Sequence, residues 1–311
     1  MPAAGSAQEA RMRTESARSS GTRQHGPSVT PLPAALGAEI GGVDLSDLTD
    51  AQFAVISGAL DRYSGLLFRG QKLSDQALVA FSARFGKLDH APVQENGQTF
   101  VPGMPEVYVV SNILDEKGKP IGSLGAGEAI WHTDMSYLAN PPDASLLYAI
   151  EVPPSGGDTW LLSMNEACRT LPKELRKAVE GKGLKHDGTY NSGGYLRAGV
   201  TASDDPRTSV GAVHPIICAH PRTGTPTLYL GRRRNAYIMG MAIEESEALL
   251  DALWAHATRP EFAYAHRWRV GDVLLWDNRS TMHRRDPFDA NSRRLMHRTQ
   301  MAGKAAPVAA D

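Results

Sequence analysis

His132 and Asp134 stand two residues apart in Trp131-His132-Thr133-Asp134, and His283 follows far downstream in Trp276-Asp277-Asn278-Arg279-Ser280-Thr281-Met282-His283. On an extended strand, residues two apart project from one face. A nitrogen ligand from a distant strand then completes two histidines and one carboxylate. That set suits a non-heme Fe(II) with three positions open for a cosubstrate and dioxygen. The requirement constrains the fold, because two remote strands must be brought side by side. The triplet alone is a weak signal: about one His-x-acid is expected by chance in a chain with ten His and 34 acidic residues. A structural His–Asp pair is the competing reading. What favours the metal is the segment after His283, which carries Arg293, Arg294 and Arg298.

A 2-oxo acid cosubstrate has a distal carboxylate that needs a planar, charged partner. Arg294 lies eleven residues after His283, enough for a turn and a return on the neighbouring strand. Its guanidinium fork can meet a carboxylate with two parallel hydrogen bonds, which lysine cannot reproduce. Alternation puts Arg294, Met296 and Arg298 on one strand face and Arg293, Leu295 and His297 on the other. Two arginines aimed into one barrel mouth are costly without anions to meet them. The strand therefore predicts two anionic groups, one on the cosubstrate and one on the substrate. A solvated basic edge is the alternative. Gly156-Gly157-Asp158-Thr159 predicts a tight turn into a strand whose first hydroxyl, on Thr159, can donate to the same carboxylate; taken by itself, the motif reads better as an ordinary hairpin turn.

A formal net charge of −1 with mixed signs gives no footprint for nucleic acid. Cys168 and Cys218, the two cysteines, provide no disulfide framework and no thiolate zinc site, and fit a reduced, cytoplasmic setting. No run of eighteen apolar residues predicts a membrane span. Residues 1–28, with Arg11, Arg13, Arg18 and Arg23 but little apolar content, read as a disordered tail. A single domain is expected over residues 29–303, then a short C-terminal tail, 304–311. Within the domain, Thr49 and Gln52 form a capping box for a helix carrying Phe53, Ile56 and Leu60. A second helix follows Ser74, with Leu78, Phe81 and Phe85 on one face and Gly86 as its stop. Further helices are expected from Pro172 to Gly181 and from Glu244 to Ala257. Strands are expected at Leu66–Phe68, Glu106–Val110, Ser145–Ile150, Ala263–Val270, Val273–Trp276 and Arg294–Met301, with Gly271-Asp272 as a tight turn. Short strands among surface helices, with ligands on separate strands, predict a mostly β fold: a double-stranded β-helix, or jelly roll, with an open mouth. Residues 188–213, rich in Gly, Ser, Asp and Thr and holding Tyr190, Asn191, Tyr195 and Arg197, read as a lid. His214, His220, His256 and His266 read as structural or surface residues.

Taken together, Gly37–Leu45, Leu67-Phe68-Arg69-Gly70-Gln71, Trp131-His132-Thr133-Asp134, Pro154-Ser155-Gly156-Gly157-Asp158-Thr159, Trp276-Asp277-Asn278-Arg279 and Arg293-Arg294-Leu295-Met296-His297-Arg298 resemble one family in order and spacing. The chain is similar, over about residues 29 to 303, to the taurine dioxygenase and 2,4-dichlorophenoxyacetate dioxygenase group of Fe(II)/2-oxoglutarate enzymes. The resemblance implies a jelly roll of the clavaminate synthase-like kind. It implies that His132, Asp134 and His283 ligate iron and that Arg294 and Thr159 hold the distal carboxylate of 2-oxoglutarate. It also implies that Arg298 engages the acidic head of a small anionic substrate and that Trp276 walls the site. The implied reaction hydroxylates the substrate, with C–S, C–O or C–N cleavage a possible sequel, and yields succinate and carbon dioxide. Dimers or tetramers are expected.

Two positions depart from the taurine enzyme. Ala91 stands where it has a histidine, with His90 one out of register, and Glu128, four before His132, stands where it has an amide. These departures point away from taurine, toward a carboxylate-bearing substrate with a donor for Glu128. Two other functions share the ligands: a zinc-dependent hydrolase, for which three ligands and a water suffice, and a non-catalytic jelly-roll binding protein.

Overall fold

Which way each side chain faces is decided by alternation along short strands. The computed structural model describes residues 26–94, 97–126, 129–191, 194–203 and 205–310. Most of the expected N-terminal tail, residues 1–25, and Asp311 at the other end lie outside them. The chain opens with β1 (Ser28–Pro31), β2 (Ala38–Gly41), α1 (Asp50–Tyr63), β3 (Gly65–Phe68) and α2 (Asp75–Ala83). It continues through β4 (Tyr108–Ser111), β5 (Ser123–Leu124), β6 (Ala129–His132), β7 (Ala144–Glu151), β8 (Thr159–Ser163), α3 (Met164–Arg169) and α4 (Lys173–Val179). Five short strands follow: β9 (Gly183–Lys185), β10 (Val213–Pro215), β11 (Ile217–Ala219), β12 (Pro226–Leu228) and β13 (Tyr237–Ile238). The last part holds α5 (Ile243–Ala257), β14 (Ala263–His266), β15 (Val273–Asp277), β16 (Thr281–Arg285), β17 (Leu295–Met301) and β18 (Val308–Ala309).

Eight strands form the larger sheet in the order β1-β2-β3-β15-β7-β17-β4-β5, and four form a smaller one, β14-β8-β16-β6. Their inner faces pack together as a jelly roll. Leu67, Leu147, Ala149, Leu274, Trp276 and Met296 of the large sheet meet Leu161 of the small one in a single buried cluster. Alternate residues of the same strands, Leu66, Phe68, Leu146, Val273 and Leu275, turn outward beneath α1 and α2, against Ile56, Leu60, Leu78 and Phe81. The small sheet does likewise: Leu162 and Met282 face outward onto α3 and α5, against Cys168, Leu250 and Leu253. Both faces of β3 and β15 are covered, which explains their unbroken apolar runs. Polar residues on the inner face therefore stand out, and they are the site.

Helices begin where the sequence predicts. Thr49 accepts from the Gln52 backbone and Gln52 reaches back, completing the capping box of α1, and Ser74 caps α2. The second helix ends at Ala83, earlier than expected, and Phe85 packs from the turn beyond it against Phe53 and Phe81. Helix α3 was not anticipated; the Ser163 side chain caps it directly after β8. Gly271-Asp272 does not close a hairpin. The strand before it ends at His266 rather than Val270, and the connection crosses from the small sheet (β14) to the large one (β15). Asp272 is buried there between Arg69 and His266, which ties the crossing down. In the segment expected as a C-terminal tail, Val308–Ala309 form β18, which pairs with β11 through Cys218↔Ala309 and Ala219↔Val308.

Candidate active site

Cross-strand pairing brings the two remote histidines together. In the small sheet β16 lies between β8 and β6, and its His283 is directly opposite His132, the last residue of β6. Opposed residues of an antiparallel pair share a face, and the two rings sit 4.2 Å apart on the inner side. Asp134 reaches them by a different route from the one its spacing suggests. The strand stops at His132, and Asp134 opens a turn closed by Met135 at a left-handed φ of 46°. Between them Thr133 is fixed at both ends, its N–H donating to Gly231 O and its hydroxyl to Thr281 O. Asp134 Oδ1 comes to rest 3.6 Å from His132 Nε2 and 3.8 Å from His283 Nε2. One ligand atom from each of the three lies within 4.8 Å of the others, and all three residues are buried.

Their protonation suits a cation. His132 Nδ1 lies 2.7 Å from the Ile130 carbonyl, a contact in which the ring nitrogen donates, and Nε2 points toward Asp134. Burial, and then the neighbouring His132, pull His283 down to about 3, so its ring is neutral. Burial pushes Asp134 up, but the opposing pull of its surroundings, Arg298 foremost, holds the carboxyl well below its usual range.

A polar chain runs behind Asp134 that the sequence reading did not assign. Ser145 donates to Asp134 Oδ2 at 2.8 Å. The serine oxygen in turn accepts from Asn278 Nδ2 and from Gln300 Nε2, each at 3.0 Å. Trp276 Nε1 donates to Asn278 Oδ1 at 2.9 Å, and its ring lies 4.8 Å from that of His283. Ser145, Trp276 and Gln300 are inner-face residues of three adjacent strands, β7, β15 and β17. The one available signal was a buried serine inside the apolar run of β7.

Beside the two histidines the cavity is lined by Thr159, Trp276, Arg284, Arg285, Arg294 and Arg298. Arg294 is 1% exposed, and its Nε and Nη1 have no hydrogen-bond partner among the described residues. Burial, with the charge of Arg285 nearby, brings its guanidinium down to about 9. Thr159, opposite Arg285 in the β8–β16 register, accepts from Trp268 Nε1 at 3.0 Å, leaving its own proton to donate. The two glycines before it have a steric task. A Cβ on Gly156 would sit 2.7 Å from Pro287 O, and Gly157 has a φ of 70°, which L side chains rarely adopt. Phe288 is the ring over which both Arg285 and Arg294 lie.

Most of the expected residues converge here. Arg298 Nη1 is 3.4 Å from Asp134 Oδ1 and its guanidinium lies over Tyr108. Arg293, predicted for the opposite face, is indeed outside, paired with Glu151. Glu128 lies outside the described residues. The four histidines read as structural or surface residues are structural: His214 bonds to the Ser136 and Leu138 carbonyls, His220 to Asp277, His256 to Ala167 O, and His266 contacts Asp272. Sequence reading missed Arg285 and Arg232. Arg232 pairs with His132 on the strand edge away from His283.

Comparison with known proteins agrees with this geometry. A family model described as taurine catabolism dioxygenase TauD, TfdA family, matches residues 28–300. Pentalenolactone F synthase of Streptomyces avermitilis is 34% identical over 285 residues, 87% of this chain and 92% of that one. The alpha-ketoglutarate-dependent 2,4-dichlorophenoxyacetate dioxygenase of Cupriavidus pinatubonensis is 32% identical over 278 residues, covering 86% and 95%. A crystal structure of a taurine dioxygenase from Burkholderia xenovorans superposes with a TM-score of 0.73 at 35% identity, covering 92% of this chain and 93% of its own.

Proposed function

The chain belongs to the taurine catabolism dioxygenase TauD, TfdA family, and from that premise we propose a role for each residue of its site. It is a 2-oxoglutarate-dependent dioxygenase, an oxidoreductase that consumes 2-oxoglutarate and dioxygen. In our reading His132, Asp134 and His283 hold Fe(II), a donor set of two neutral imidazoles and one carboxylate that leaves half an octahedron open. The ion supplies the redox capacity that couples decarboxylation of 2-oxoglutarate, to succinate and carbon dioxide, with insertion of oxygen into a substrate C–H bond.

The observation that carries the reading is the unpartnered fork of Arg294. A buried guanidinium with two idle donors is expensive, and a carboxylate arriving through the same cavity would offset that cost. Arg294 and Thr159 take the distal carboxylate of 2-oxoglutarate, which would leave its 2-oxo acid end toward the ion that His132, Asp134 and His283 would hold. Ser145 holds the second oxygen of Asp134, so that carboxylate keeps one oxygen for the ion. Trp276 walls the site against water. A zinc hydrolase would leave Arg294 and Thr159 without work.

The substrate is a small organic anion whose acidic group meets Arg298. Relatives support this class, one being named for 2,4-dichlorophenoxyacetate and another for sulfate esters. Free, buried Cys168 and Cys218 fit the cytoplasmic reading, and assembly into dimers or tetramers remains part of it. The test is a panel of aryloxyalkanoates, sulfate esters, sulfonates and amino acids, screened for stimulated succinate release. At least one anion should stimulate it with Fe(II) and 2-oxoglutarate, and Asp134→Ala should abolish the response. Turnover with zinc and without 2-oxoglutarate would instead establish the hydrolase.

A further inference from the structure

Arg232 is only 6% exposed, and the iron chemistry gives it no task. It stands opposite His132 in an antiparallel bridge, so its side chain leaves the backbone on the face from which His132 reaches the metal ligands. His283 flanks His132 on one side and Arg232 on the other. The residue before it, Gly231, holds Thr133 in place, and the charge of Arg232 acts on both Asp134 and His283. Its Nη1 donates to Tyr190 O, while Nε has no partner among the described residues.

A second guanidinium comes to the same place. Arg197 stacks 4.3 Å over the ring of Tyr137, in the turn that Asp134 opens, and its Nε also lacks a partner among the described residues. Arg197 and Arg232 repel each other, and neither meets a carboxylate within ion-pair distance among the described residues. Asp187 is the nearby acid, but Thr189 occupies its Oδ1 and its Oδ2 has no partner. With Asp134 committed to the ion in the reading above, two cations face Asp187 alone, with idle donors beside the ligands, and Arg298 supplies another positive charge over Asp134. Desolvated charge of one sign is costly unless an anion completes it.

We propose that Arg232 and Arg197 form a second anion subsite, and that the substrate carries two acidic groups, one for this pair and one for Arg298. The inference rests on the reading of Arg298 given above and adds the second group. Its test is calorimetric titration of the protein saturated with Mn(II) and N-oxalylglycine, an unreactive 2-oxoglutarate analogue. The probes are linear dicarboxylates from adipate to sebacate, each beside the monocarboxylate of equal length. At least one dicarboxylate should bind about tenfold or more tightly than its monoacid. Arg232→Met, and separately the more exposed Arg197→Gln, should remove that advantage without altering N-oxalylglycine affinity. If no dicarboxylate exceeds its monoacid, including the case where neither binds, or if the advantage survives both substitutions, the second subsite is wrong. Failure of N-oxalylglycine itself to bind would instead overturn the proposed function.

Discussion

Single side chains carry most of the chemistry, and their effects should separate cleanly. Replacing Arg294 by Ala removes a charge-assisted fork of about 1.5–3 kcal/mol. The 2-oxoglutarate concentration for half-maximal rate should rise about ten- to a hundredfold, with the saturated rate less affected. An unchanged requirement would remove Arg294 from the cosubstrate. Ser145→Ala takes away the donor to Asp134 Oδ2. Partners behind metal ligands are typically worth about 10–100-fold in metal affinity, and a competition titration with a chelator should show that loss. Undiminished affinity would mean that the Ser145 hydroxyl does not orient the ligand. That His132, Asp134 and His283 would meet, with Thr159 and Arg294 beside the histidines, was legible because such residue types at such spacings are distinctive. Ser145 and Arg232 were not, since a serine in a strand and an arginine in a basic run acquire meaning only from neighbours across the sheet.

Strands and turns set the precision of the site. Alternation in β17 was readable: Met296 and Gln300 face inward with Arg298, while His297 turns out to pair with Asp75. The crossing at Gly271-Asp272 was not readable, because a short turn between two strand-like runs looks alike whether the strands pair or part. Asp134 shows the same limit. Two-residue spacing predicted a shared strand face, yet the carboxylate arrives by a turn braced on Gly231. That glycine has a φ of 66°, and an added Cβ would lie 2.0 Å from His186 Nδ1 and 2.6 Å from Ser136 Oγ. Gly231→Ala therefore combines a left-handed penalty of about 1–2 kcal/mol with overpacking of about 1–3 kcal/mol. Denaturant unfolding should record a loss of about 2–5 kcal/mol, the sum of the two, and loss below about 1 kcal/mol would show that His186 yields freely.

For the whole molecule, two sheets facing each other provide a dry interior in which a few polar groups are left deliberately incomplete. Arg294 with its idle donors and the two histidines of the triad line one cavity, so metal and cosubstrate should complete each other and stabilise the fold together. The most direct measurement is an anaerobic titration of the apoprotein with Fe(II) and 2-oxoglutarate, followed by visible absorption. A weak charge-transfer band should grow in only when both are present, saturate at one iron per chain, and be absent in Asp134→Ala. A band that ignores Asp134→Ala, or none at stoichiometric iron and excess 2-oxoglutarate, would contradict the account.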